Sequence, residues 1–124
     1  MATGDWQPDA GEDVMTFLER IPPAVRERAW WDWWREHGEL HLNRILREDW
    51  NPIGETEVPA DEYEPYATRL AGLLREGSSS VEIAAFLSDA RAGALGLPGQ
   101  PQVDEQVADT IHAWYLRALR APAP

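Results

Sequence analysis

"AWWDWWREHGELH", residues 29–41, sets four tryptophans within five positions and follows them with two histidines four apart. Read as a helix, at roughly 100° per residue, Trp30, Trp31, Trp33 and Trp34 fall within an arc of about 160°. Asp32, Arg35, Glu36 and Glu39 take the other side. Carried further, the same wheel puts His37 and His41 beneath Trp30 and Trp34, with Leu42 and Ile45 extending the face. Each indole buries about 150–250 Å². The core-facing stripe of a bundle helix is only a little wider than about 100°. The arc overfills that stripe, so the segment predicts a core and a contact surface together. Trp31, at the edge of the arc, is expected at the rim. Trp31, Trp34 and Arg35 form one candidate partner-binding group, because Trp and Arg carry much of the binding energy at protein interfaces.

Outward from this stretch the helical period persists. Val14, Phe17, Leu18 and Ile21 recur at helical spacing and predict a short helix over 12–21, stopped by Pro22-Pro23. Pro23 suits the first position of a long or kinked helix over 23–48, with Gly38 as a kink or break inside it. Residues 49–61 read as a loop, because Asn51-Pro52 starts turns and Gly54 supplies a positive φ. Asp61 with Glu64 resembles a capping box for a helix over 61–76, with Pro65 able to push its start later. Ser79 with Glu82 opens another over 78–96, and a last helix runs over 103–120. No alternating strand pattern of useful length and no internal repeat is visible. The fold class is therefore all-α: a single compact bundle of about five helices over 12–120, with 1–11 a flexible tail and 121–124 a frayed one.

The charge restricts the partners. The 124 residues hold 22 Asp and Glu against 11 basic residues, all of them Arg, for a net charge of −11. Phosphate backbones and anionic membrane surfaces are bound by clustered cations, so nucleic acid and membrane are not expected as partners. A basic protein partner, steered by charge, is compatible. There is no cysteine, and the start of the chain carries neither a basic segment nor an apolar run, which points to a cytoplasmic protein.

Catalytic patterns are weak. His37 and His41 have the spacing of zinc-binding helices, and Asp49 or His112 could complete a site, but Gly38 stands where the metalloprotease pattern has Glu. Asp61, Glu62 and Glu64 cluster where a helix dipole favours negative charge, which accounts for them without acid–base work. No phosphate loop, nucleophile elbow or Ser/His/Asp spacing is present. No cofactor is implied.

One resemblance stands out. "LNRILREDWNPIG" with "VPADEYEPYATRLAGLLREGSSSVEIAAFL" resembles a family of small bacterial helical proteins of unknown function, the YugE-like proteins. The likeness runs over about residues 40–116, on Trp50, Pro52, Ile53, Gly54, Asp61, Glu62, Tyr63 and Tyr66, with "GALGL" at 93–97. That family carries Asp after the tryptophan, whereas this chain has Asn51. The resemblance implies a turn shaped by Pro52 and Gly54, with Trp50 plugging the bundle end and Tyr63 and Tyr66 bonding the loop. It also offers Trp50, Asn51, Asp61 and Glu62 as a second recognition edge. Two readings follow. One is a non-catalytic, acidic binding protein of the immunity or regulatory-partner kind. The other is a small metal-dependent enzyme or metal-binding protein using His37 and His41.

Overall fold

A computed structural model describes residues 6–54 and 62–123. Helix α1 is Val14–Arg20, capped by the Asp13 carboxylate, which accepts the Thr16 N–H at 2.6 Å. Pro22 and Pro23 break the chain, and Pro23 begins α2 where its missing N–H costs nothing. Helix α2 spans 23–50 without interruption and contains two π-turns, Trp34–Gly38 and Leu46–Trp50. Helix α3 is Glu64–Arg75. Helix α4 covers 80–94: Ser80–Asp89, then a third π-turn, Ala90–Ala94. The Ser79 hydroxyl caps it by accepting the Glu82 N–H at 3.2 Å. Helix α5 is Pro101–Arg120. The described residues thus form five helices and no strand, an all-α fold as the periodicity predicts.

Two boundaries differ from expectation. Helix α3 opens at Glu64 rather than 61, with Pro65 in its first turn, where the missing N–H costs no intrahelical bond. The expected cap Asp61 lies outside the described residues. The tails differ more. Ala123 N–H donates to the Glu12 carbonyl at 2.7 Å, Val14 N–H to the Ala121 carbonyl at 3.2 Å, and Asp13 and Pro122 form an isolated antiparallel bridge. On the N-terminal side, Arg20 holds the Glu12 carboxylate at 2.9 Å and the Gln7 carbonyl at 2.9 Å. Residues 121–123 are thus bonded through backbone groups to residues 12–14, and the Arg20 side chain holds Gln7, links that hydropathy does not display.

The π-turns correct the wheel. In each, one N–H reaches back five residues rather than four: Glu39 to Trp34, Asn51 to Leu46 and Leu95 to Ala90. The extra residue rotates everything beyond it by about 100°. Trp30 and Trp34, four apart, stack on each other, 5.3 Å apart and 5° from parallel. His41 lies flat on Trp114, at 4.6 Å and 4°. Gly38 is not a break, since its φ of −82° is helical. It is a contact point: the Trp34 ring rests against it, and a Cβ there would stand 2.4 Å from Cε3 of that ring.

The core runs the length of the bundle. At one end Trp30, Trp34, Trp114 and Tyr115 pack together, with the Trp30 indole N–H donating to the Tyr115 hydroxyl at 2.9 Å. Leu42, Leu46, Leu70, Leu74, Ile83, Leu87 and Ile111 fill the middle. Helix α4 packs on α5 more extensively than any other pair.

The Gly38 contact gives a clear expectation. Gly38→Ala forces the Trp34 ring off its neighbour and costs about 1–3 kcal/mol, as overpacking of a tight core does. Urea unfolding checks this, and the helical circular dichroism of the folded variant should be unchanged.

Candidate functional site

Three helix ends meet at one carboxylate. Asp104 lies in the first turn of α5 and Arg91 in the last turn of α4, each at the end where the helix dipole favours its charge. Both are sealed, at 0% and 2% exposure. Arg91 Nη2 donates to Asp104 Oδ1 at 2.8 Å, and Nε spans both oxygens at 3.2 and 3.3 Å. Trp50, at the end of α2, donates its indole N–H to Oδ1 at 2.8 Å, and Ser88 donates to Oδ2 at 3.0 Å. The Arg91 guanidinium also sits 5.8 Å from the Trp50 ring centre. Burial pushes the Asp104 carboxyl upward, but the bonds from Arg91, Trp50 and Ser88 outweigh it and hold it below its ordinary value. Every strong partner of this carboxylate is internal, so the constellation anchors the bundle and offers nothing to solvent. Neither charge was singled out by the sequence, although opposite charges on either side of the "LPGQP" turn were a visible cue.

The signature residues surround this anchor. Trp50 packs against Tyr63 at 5.6 Å and Tyr66 at 5.9 Å. Asn51 ends α2 in the left-handed region, at φ 33°. Asn tolerates that conformation better than most residues, which gives Asn51 a structural reason to stand there. Its carbonyl accepts the Gly54 N–H at 3.0 Å, closing the turn over Pro52 and Ile53, and Gly54 takes φ 77°. The Tyr63 hydroxyl accepts the Ile53 N–H at 3.4 Å and donates to Asn51 Oδ1 at 3.3 Å.

The residues proposed to face a partner do not share one surface. Trp34 and Trp50, both 3% exposed, are core residues and have no free ring face to offer. They also stand 16 residues apart on α2, about 24 Å along its axis. Trp31 is half-buried, edge-on to Trp30 at 4.9 Å, and its N–H donates to Glu27 at 3.0 Å. Glu27 in turn is held by Arg75 of α3. Arg35 is exposed and bonded to Asp32 at 3.1 Å. Glu62 is exposed, and Asp61 lies outside the described residues.

The histidines separate in role. Partial burial of the ring, which stacks on Trp114, with Arg44 and Arg117 adding like charge, lowers His41 from the usual imidazole range. His37 is exposed, 3.6 Å from Glu36. Among the described residues no three of His, Asp and Glu converge as a group able to hold a metal ion.

The accessible feature is a cleft of about 590 Å³ between α1, the first half of α2 and the pinned arm at Trp6–Pro8. Val25, Ala29 and Trp33 line its α2 side, spaced i, i+4, i+8 and therefore in one stripe. Phe17, Leu18 and Ile21 line the α1 side. Asp32, Glu36 and Arg28 stand along its border. A smaller hollow of about 270 Å³ shares Val14, Trp33 and His37 with it and continues toward Trp114 and Ala118. Trp33 is half-buried against Trp30, Trp34 and Tyr115, with the cleft on its remaining side. Trp31 thus lies half-buried at the rim, as expected, and Trp33 is half-buried as well, on the side of the cleft. The spacing of Val25, Ala29 and Trp33 is the signal that places Trp33 there.

Compared with known proteins, the chain matches no family model, no curated protein and no solved structure. No helix among the described residues is long and apolar enough to cross a membrane.

Removing one member of the anchor strands a buried charge. Arg91→Met is expected to cost about 3–5 kcal/mol, and Trp50→Ala a similar amount through its cavity. Asp104 adds a pH dependence with a defined sign. Its folded pKa is lowered, so its stabilisation is complete above the unfolded value of about 3.9 and fades as pH falls through the folded value. Urea titrations between neutral and acid pH should show stability dropping with acid, and Asp104→Asn should flatten that limb while lowering stability throughout.

Proposed function

We propose that this chain is a non-catalytic protein-binding module, of the immunity or regulatory-partner kind, whose binding surface is the cleft at Trp33. The observation that carries the reading is the state of Trp33: a large indole on a rigid helix, supported by three aromatic neighbours and left open on one side. A preorganised aromatic anchor of this kind concentrates binding energy at interfaces. The chemistry of the polar groups supports the same reading. The strongest polar constellation among the described residues, at Asp104, is closed to solvent, which suits an anchor and not a reaction centre. The net charge of −11 favours a basic partner and fast, salt-sensitive association. If the resemblance to the YugE-like proteins is taken as part of this proposal, Trp50, Tyr63 and Tyr66 serve the scaffold, where Trp50 packs against both tyrosines, and recognition falls to the N-terminal half.

The test compares two half-buried indoles. Native lysate is crosslinked to the chain at low salt, and the captured partner is then purified and titrated against variants. Trp33→Ala should weaken binding by about 2 kcal/mol or more, the scale of an interface hot spot. Trp31→Ala, which loses a Glu27 bond on the other side of the helix, should leave affinity nearly unchanged. Equal effects of the two substitutions, or a captured partner that protects neither, would remove the cleft from the reading.

A further inference from the structure

The shape and charge of the cleft define what fits it. This inference rests on the binding reading above and specifies the occupant. Along α2 the lining runs from Ala24 to His37, 14 residues and about 20 Å of axis. Its floor is the half-buried stripe Val25, Ala29 and Trp33, facing the half-buried Phe17 of α1, with Leu18 and Ile21 sealed beneath. Two helices with a shallow groove between them, apolar on its floor and polar over more of its exposed lining, form a geometry into which an amphipathic third helix lays itself. A groove of about 20 Å accepts roughly 13 residues of helix, or three to four turns.

Charge selects among the occupants. A second copy of this chain brings another −11 and is repelled. Nucleic acid and anionic membrane are opposed in the same way. On the α2 side Asp32 and Glu36 border the groove, and Glu36 is widely exposed with only His37 close to it. On the opposite side Asp9 is exposed on the arm whose Gln7 and Pro8 line the groove. Arg28 is the single arginine in the lining, and it lies 4.0 Å from Asp32. We infer that the cleft binds an amphipathic helix of a partner protein, about three to four turns long. Its apolar stripe bears a bulky side chain onto Trp33, and its flanks carry Lys or Arg toward Glu36 and Asp9. The arm at Trp6–Pro8 is the second wall of this groove. It is positioned by the Arg20 bonds to Gln7 and Glu12, so Arg20 shapes the site without touching the occupant.

The test lets sequences choose themselves. A display library of random 16-residue peptides is panned against the full chain, with the double variant Asp32→Lys, Glu36→Lys as counter-selection. Both changes are at exposed positions, so the bundle folds. The expected result is enriched peptides with apolar residues at i, i+3 or i+4 and i+7 and an excess of Lys and Arg. A synthesised winner should gain helicity on binding, shift the Trp33 indole N–H resonance, and bind about tenfold more weakly to the double variant. Raising salt from 50 to 300 mM should weaken it by a similar factor. Arg20→Ala should weaken the same peptide while leaving the salt dependence intact. Enriched peptides with no helical period, acidic winners, or no enrichment over the counter-selection would each overturn the inference. If the lysate partner still depends on Trp33 in those cases, the binding reading stands and only the helical, basic occupant falls. If neither a peptide nor a lysate partner depends on Trp33, both fall.

Discussion

The Asp104 carboxylate is the point at which the bundle is fastened. It receives hydrogen bonds from Arg91, Trp50 and Ser88, and these come from α4, α2 and α4 while the acid itself belongs to α5. A charge so enclosed is costly unless its partners are complete and well placed, and removing any one of them leaves an uncompensated group. The same demand makes the network specific. Sliding α5 by one turn against α2 moves Asp104 away from the Trp50 N–H and from the guanidinium together. Apolar side chains in the middle of the bundle tolerate several registers. This one tolerates a single register.

Meeting that geometry explains why the helices are not regular. Two of the three π-turns lie next to the network: Leu46–Trp50 carries Trp50 itself, and Ala90–Ala94 holds Arg91. Each inserted residue turns the side chains that follow it, and so brings to the interior a residue that a regular helix would leave elsewhere. Beyond the second, Gly96 takes φ 61° and the Leu97 N–H reaches the Arg91 carbonyl at 2.8 Å, closing α4 beside the pair. The third π-turn, Trp34–Gly38, does the same for the aromatic end. It lets Trp34 lie on a glycine and presents His41 to Trp114.

This division separates stability from recognition. Four of the seven tryptophans, Trp30, Trp34, Trp50 and Trp114, are core. Trp31 is engaged through Glu27 with α3, Trp6 stands 43% exposed on the arm, and Trp33 borders the cleft. Trp6 and Trp33 meet at the cleft between α1 and α2, while Trp31 lies on the side of α3.

How much of this the residues show on their own depends on the range of the interaction. Helix number, the caps at Asp13 and Ser79, the stops at Pro22-Pro23 and the turn at Asn51–Gly54 are local matters of hydrogen bonding and backbone sterics, and they are readable in order along the chain. The overfilled arc of indole was readable too, and with it the need for some tryptophan to lie outside the core. Which tryptophans do so was readable only in part: a wheel at constant pitch assigns Trp31 to the rim, where it lies half-buried, but the open side of Trp33 depends on what α1 leaves uncovered. The stacking of His41 on Trp114 was not readable, since a π-turn rotates the helix ahead of it. The Arg91–Asp104 pair showed only as opposite charges flanking a turn, and the stitching of residues 12–14 to 121–123 not at all, because each depends on groups of different elements meeting at fixed distance and angle. Composition and period set the number and kind of helices. The tertiary packing alone selected their register and left one cleft open, because burying a charge or covering a ring depends on what arrives from other helices.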